Sequence, residues 1–118
     1  MKFTDTHEWI CIEGNIGIVG ITEHARSELG EVVYVELPNL GKQLVKMKEA
    51  AVLESTKAAA DIYCPMSGTV VEVNDNALKA INHAPEAEGW LFKIEIENPL
   101  EFESLIDREE YHELIKGC

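Results

Sequence analysis

The sequence is short of basic residues. Ten Lys and Arg stand against twenty-two Asp and Glu, a formal net charge of −12 at pH 7. Wrapping nucleic acid needs a basic face, so that function is excluded. An anionic membrane surface would repel the same field. Cysteine is scarce as well. Cys11, Cys64 and Cys118 are odd in number and widely spaced, with no C-x-x-C pair. They make neither a disulfide framework nor a zinc pattern, which fits a reducing compartment. No metal ligand set is expected. No apolar run is long enough to span a bilayer as a helix. Residues 1–6 have neither the apolar core of a signal peptide nor the Arg-rich pattern of a transit peptide. Structured sequence begins at His7-Glu8-Trp9, so a complete cytoplasmic chain is expected. No low-complexity linker divides the 118 residues, so one domain over 1–118 is expected. The hydrophobic fraction of 46% is ordinary, so the acidity does not signal disorder. What remains is a small acidic globular protein that meets other proteins or cationic groups.

The pattern of residues is mainly β. Residues 9–12 and 16–19 read as two strands around Glu13-Gly14-Asn15. Thr22 is placed to cap a short helix over 23–29, with Gly30 at its end. Residues 32–37 alternate and are β-branched, and Pro38 ends that strand. Gly41 opens a turn. Strands are expected over 50–53, 58–63, 69–73 and 90–96, with a turn at Pro65-Met66-Ser67-Gly68. After Pro99 the apolar residues Leu100, Leu105, Ile106, Leu114 and Ile115 fall near helical spacing among acids. One or two amphipathic helices over about 101–116 are expected.

The most informative stretch runs from Gly41 to Gly68. Two expected strands flank Glu54-Ser55-Thr56-Lys57, which puts Lys57 at or beside a hairpin tip. Gly41 and Gly68 are placed where tight bends at the far ends of those strands would need them. A lysine that carries a swinging cofactor needs this layout. Its amine must stand clear of the body on a rigid mount, with small neighbours such as Ser55 and Ala58. Glu54 offers a charge for a modifying enzyme to read. An ordinary solvated turn lysine remains the alternative on these residues alone.

Glu54-Ser55-Thr56-Lys57-Ala58, Asp61-Ile62, Pro65, Ser67-Gly68 and Val70-Val71-Glu72-Val73-Asn74 closely resemble the H protein family of the glycine cleavage system. Further landmarks agree in order: His7-Glu8-Trp9, Gly20-Ile21-Thr22-Glu23-His24-Ala25, Leu29-Gly30-Glu31-Val32-Val33, Val35-Glu36-Leu37-Pro38, Gly89-Trp90 and the tail over 105–111. The resemblance implies the lipoyl/biotinyl hammerhead, a flattened β-sandwich or barrel with added helices. It implies lipoic acid in amide linkage on Lys57, attached by a lipoate ligase or an octanoyltransferase. Glycine decarboxylase, with pyridoxal phosphate, would load an aminomethyl group on the arm. An aminomethyltransferase would pass the one-carbon unit to tetrahydrofolate. Dihydrolipoamide dehydrogenase would reoxidise the dithiol. The protein would be a carrier and not an enzyme, and a monomer. Glu54 and Gly68 would serve the modifying enzyme and the hairpin geometry. Glu8, His24 and Asp61 match positions of a cleft that shelters the loaded arm. Taken alone, each is equally an ordinary surface or strand residue, and Trp9 and Trp90 read as packing residues.

The family pattern is not intact. Thr56 stands where Val is common, and Met47-Lys48-Glu49 where a Gly-Glu turn is common. The chain is about three residues short between Asn74 and Asn82, and Pro85-Glu86-Ala87 replaces a Pro-Tyr-Gly step. These departures favour, as a second reading, an H-like lipoyl carrier in lipoyl relay or a redox pathway. Cys64 stands where Ser or Ala is usual. Its ordinary reading is a small buried hydrophobe, with thiol exchange toward the arm as the rival. A biotin carrier would place Met on both sides of its lysine, whereas Thr56 and Ala58 flank Lys57.

Overall fold

A computed structural model describes residues 1–116. The strands are β1 (Lys2–Phe3), β2 (Glu8–Glu13), β3 (Ile16–Ile21), β4 (Val32–Glu36), β5 (Gln43–Leu44), β6 (Glu49–Ser55), β7 (Ala59–Tyr63), β8 (Gly68–Val73) and β9 (Phe92–Ile96). The helices are α1 (Glu23–Leu29), α2 (Ala77–Ala80) and α3 (Arg108–Lys116), with a 3-10 turn over Pro99–Ser104. Two antiparallel sheets form. One runs β1-β2-β3-β9-β8-β5 and the other β4-β6-β7. Neither closes on itself, so the flattened sandwich describes the molecule and the barrel does not.

Alternation along the strands builds the core. Ile10, Val19, Phe92 and Ile94 of the large sheet share one buried cluster with Leu53 and Ile62 of the small sheet. Each such side chain, fully buried, contributes about 1.5–3 kcal/mol before entropy is charged. Trp9 faces Gly20 across the β2–β3 ladder. A Cβ on Gly20 would stand 2.7 Å from the indole, so glycine there makes room for the ring. The Trp9 indole N–H donates to the Pro85 carbonyl at 2.9 Å, and that ties the 74–88 loop to the sheet. Asn82 clamps the start of β4 from the same loop. Its Oδ1 accepts from Val32 N at 2.8 Å and its Nδ2 donates to Val32 O at 3.0 Å. The shortened loop is therefore pinned at the start of the small sheet's first strand and at Trp9.

The expected hairpin over β2 and β3, the strands around Lys57 and the helix capped by Thr22 all form. Thr22 Oγ1 accepts from Ala25 N, and Gly30 ends α1 at φ +87°. Two expectations need correction. Gly68 sits in extended backbone at the start of β8, so it makes no bend for the Lys57 hairpin. Its Cβ would lie 2.5 Å from the Glu95 carbonyl oxygen, so close strand packing, rather than a turn, requires glycine. Gly41 does turn, at φ +82°, but β5 separates it from β6. The bend that feeds β6 is made by Met47, a non-glycine residue at φ +63°. The left-handed conformation is adopted there without a glycine.

Candidate functional site

The β6–β7 hairpin ends in Ser55-Thr56-Lys57-Ala58. Ser55 N donates to Ala58 O at 2.8 Å and closes the turn. The Ser55 hydroxyl oxygen accepts from Lys57 N at 3.0 Å and from Ala58 N at 3.1 Å. A serine side chain thus stands in for the backbone acceptors that a tight turn lacks. Thr56 N donates to Glu31 O at 3.2 Å, which anchors the tip to the loop after α1. The mount is rigid and Lys57 on it is exposed. Its side chain lies over Gly30, where a Cβ would meet Lys57 Cε at 2.9 Å. Lys57 Nζ comes within 3.4 Å of the Glu28 carbonyl oxygen at the C-terminal end of α1. Glu54, one residue before the turn, is exposed beside it.

The same helix end walls a cavity of about 250 Å³. It is lined by Thr6, His7, Ile21, Ala25, Glu28, Leu29, Leu53, Ala60, Asp61 and Ile62. Asp61 therefore faces the cavity that opens beside Lys57, and Glu28 joins it. Glu8 does not. It is 1% exposed and its carboxylate is occupied. Oε1 accepts from the Thr4 and Thr6 hydroxyls at 2.5 and 2.6 Å, and Oε2 accepts from Tyr63 N at 3.3 Å. Burial pushes the Glu8 carboxyl above its ordinary value, against the pull of those donors. Glu8 holds the strip 4–8 against β7, behind the cavity.

His24 is not in the lining of that cavity. It lines a second, larger hollow of about 630 Å³ between α1, residues 84–87 and α3. The His7 and His24 rings stand 4.7 Å apart. His7 Nδ1 bonds the Tyr111 hydroxyl at 2.7 Å, and that hydroxyl also meets Thr22 Oγ1 at 2.7 Å. Burial, with His24 as a neighbour, lowers the His7 pKa. The Tyr111 hydroxyl is raised, chiefly by burial. This His7–Tyr111–Thr22 network has no local signature in the sequence, because Tyr111 is 104 residues from His7.

Cys64 is fully buried, and its thiol donates to Met66 O at 2.9 Å. Burial pushes that thiol up to about 12. A thiol so held is inert at neutral pH, so it is the small buried hydrophobe and not an exchange partner. Trp9 is a core residue, and Trp90 packs against the small cluster around Phe3 and Tyr111.

Two antiparallel sheets presenting one exposed lysine at a hairpin tip, beside a walled cavity, define a hammerhead carrier fold. The comparisons take the class to a family. The model of the Glycine cleavage H-protein family matches residues 1–118. A glycine cleavage system H protein of Thermotoga maritima is 51% identical over 115 residues, covering 95% of this chain and 93% of its own length. One of Symbiobacterium thermophilum is 47% identical over 119 residues, with 98% and 93% covered. The crystal structure of a glycine cleavage system H protein from Mycobacterium marinum superposes with a TM-score of 0.85 at 32% identity, covering 99% of this chain and 96% of that one. The chain belongs to the glycine cleavage H-protein family. It is a carrier of the glycine cleavage system and not an enzyme. Among the described residues no helix is long and apolar enough to cross a membrane.

Proposed function

We propose that this chain is a lipoyl-lysine carrier with Lys57 as the attachment point, acting in the cytoplasm as a monomer. The observation that carries this is the placement of Lys57. It is exposed on a turn fixed by Ser55 and Thr56, and its amine reaches the end of α1 that walls the cavity. Among the described residues no other lysine stands on a two-strand tip of this kind. When bound, the dithiolane of lipoic acid would take the aminomethyl group from glycine decarboxylase, give it to an aminomethyltransferase, and be reoxidised by dihydrolipoamide dehydrogenase. The chain's own residues do the rest. Ser55 and Thr56 hold the tip so that the amide nitrogen on Lys57 has a fixed origin. Glu54 is the exposed charge beside it for a lipoate ligase or octanoyltransferase to meet. Asp61 and Glu28 offer carboxylate acceptors to an ammonium group brought into the cavity, while Ile21, Leu53 and Ile62 exclude water from it. Glu8 supports the cavity from behind through Thr6, and His24 lines the neighbouring hollow with its ring 4.7 Å from that of His7.

Lipoylated protein supplied to glycine decarboxylase should support exchange of carbon dioxide with the carboxyl group of glycine. The unlipoylated chain should not. Lipoylated protein that is inert in this exchange would move the function to lipoyl relay.

A further inference from the structure

One cluster adjoins the carrier cavity and shares His7 and Glu28 with its lining. His7, His24 and Glu28 each offer one ligand atom, and the three atoms lie within 4.8 Å of one another. We propose that these residues form a binding site for one divalent first-row transition ion, of which Zn²⁺ is the probe of choice. The residues are the chain's own, so the site does not depend on lipoylation of Lys57.

The chemistry and the backbone support the site together. His24 and Glu28 are four apart on α1, so they share one face of the helix. His24 Nε2 already stands 3.3 Å from Glu28 Oε1. Ligands at about 2.0–2.1 Å from a tetrahedral zinc lie roughly 3.3 Å from each other, so this pair has the spacing of one tetrahedral edge. His7 completes the triangle from outside the helix. Its backbone is held at φ +74°, an uncommon conformation for a non-glycine residue. Its ring is fixed by the Tyr111 hydroxyl on Nδ1, itself bonded to Thr22, which caps the same helix. Metal-bound imidazoles characteristically carry such an outer hydrogen bond on the second nitrogen.

A second observation points to a ligand. His24 Nε2 is buried and makes no hydrogen bond among the described residues, with Glu28 Oε1 standing 3.3 Å away. A buried polar atom left without a partner costs free energy, and coordination would remove that cost. Two imidazoles and a carboxylate are a borderline-soft set that suits Zn²⁺, Cu²⁺ or Ni²⁺ and not Mg²⁺ or Ca²⁺. Three protein ligands leave a coordination position for an outside donor.

The test is calorimetric titration of ZnCl₂ into tag-free, unlipoylated full-length chain. Saturable binding of one ion per chain is expected, weakened at least tenfold in His24→Asn and in Glu28→Gln. His83→Asn and His112→Asn, which alter the histidines outside the cluster, should bind as the parent does. Circular dichroism checks that every variant is folded. Co²⁺ in place of Zn²⁺ should give ligand-field absorption without thiolate charge transfer. No saturable binding overturns the proposal. So does binding that survives both His24→Asn and Glu28→Gln, binding that fails in the His83 or His112 variants, or a thiolate signature.

Discussion

Glu8 is the residue whose position departs most from its sequence reading. As a family landmark beside His7 and Trp9, it read as a cleft carboxylate. The structure buries it under Thr4, Thr6 and the amide of Tyr63. Its folded-state pKa is raised, chiefly by burial. The folded chain therefore keeps the proton to higher pH than the unfolded chain does. Stability from this residue is full below the ordinary glutamate value and is lost as pH rises through the raised one. Glu8→Gln removes that titration. Urea midpoints measured across pH should show the parent losing stability relative to Glu8→Gln as pH climbs above about 4.5. A parent that gains on the variant over that range would contradict the burial argument. Lys57 and Asp61 sit where the strand pattern puts them, on the tip and the second strand of one hairpin, because that geometry is local and periodic. His7, Glu28 and Tyr111 were not legible, since three separate segments bring them together.

At the scale of elements, local chemistry was a good guide and short or long-range pieces were not. The Thr22 hydroxyl starts α1 and Gly30, free of a Cβ, ends it, and the Lys57 hairpin forms from two flanking strands. The two-residue strands β1 and β5 and the four-residue α2 escaped notice because two to four residues carry no period. Met47 escaped for another reason: nothing in a methionine announces φ +63°. Gly68 is a required glycine, but for strand packing and not for a turn. The pairing of β8 with β9 decides it, since Gly68 lies opposite Ile96 and against the Glu95 carbonyl. Gly68→Ala should therefore destabilise the chain by about 1–3 kcal/mol, the range for overpacking against atoms that cannot retreat. Urea unfolding measures it. A change near zero would mean that the β8–β9 ladder yields more easily than a backbone contact at 2.5 Å allows.

At the scale of the whole molecule, the excess of acid is the governing feature. A net charge of −12 on 118 residues repels itself in the compact state. Among the described residues the ion pairs are few and lie at the surface, so they offset little of this. Screening relieves it, since the Debye length falls to about 10 Å at 0.1 M salt. The melting temperature should rise as NaCl is taken from about 10 mM to about 0.2 M, where the Debye length is below 10 Å. A fall would show that attractive pairs outweigh the net repulsion. The same charge would keep a carrier dissolved and would steer it toward any partner that presents a basic face.

The central claim is that Lys57 bears the lipoyl group, and intact mass tests it most directly. The protein is isolated from cells competent for lipoylation, beside a Lys57→Ala variant. The account predicts a lipoyl-sized mass increase in the parent and none in the variant. A parent of unmodified mass, or an increase that survives Lys57→Ala, would contradict it.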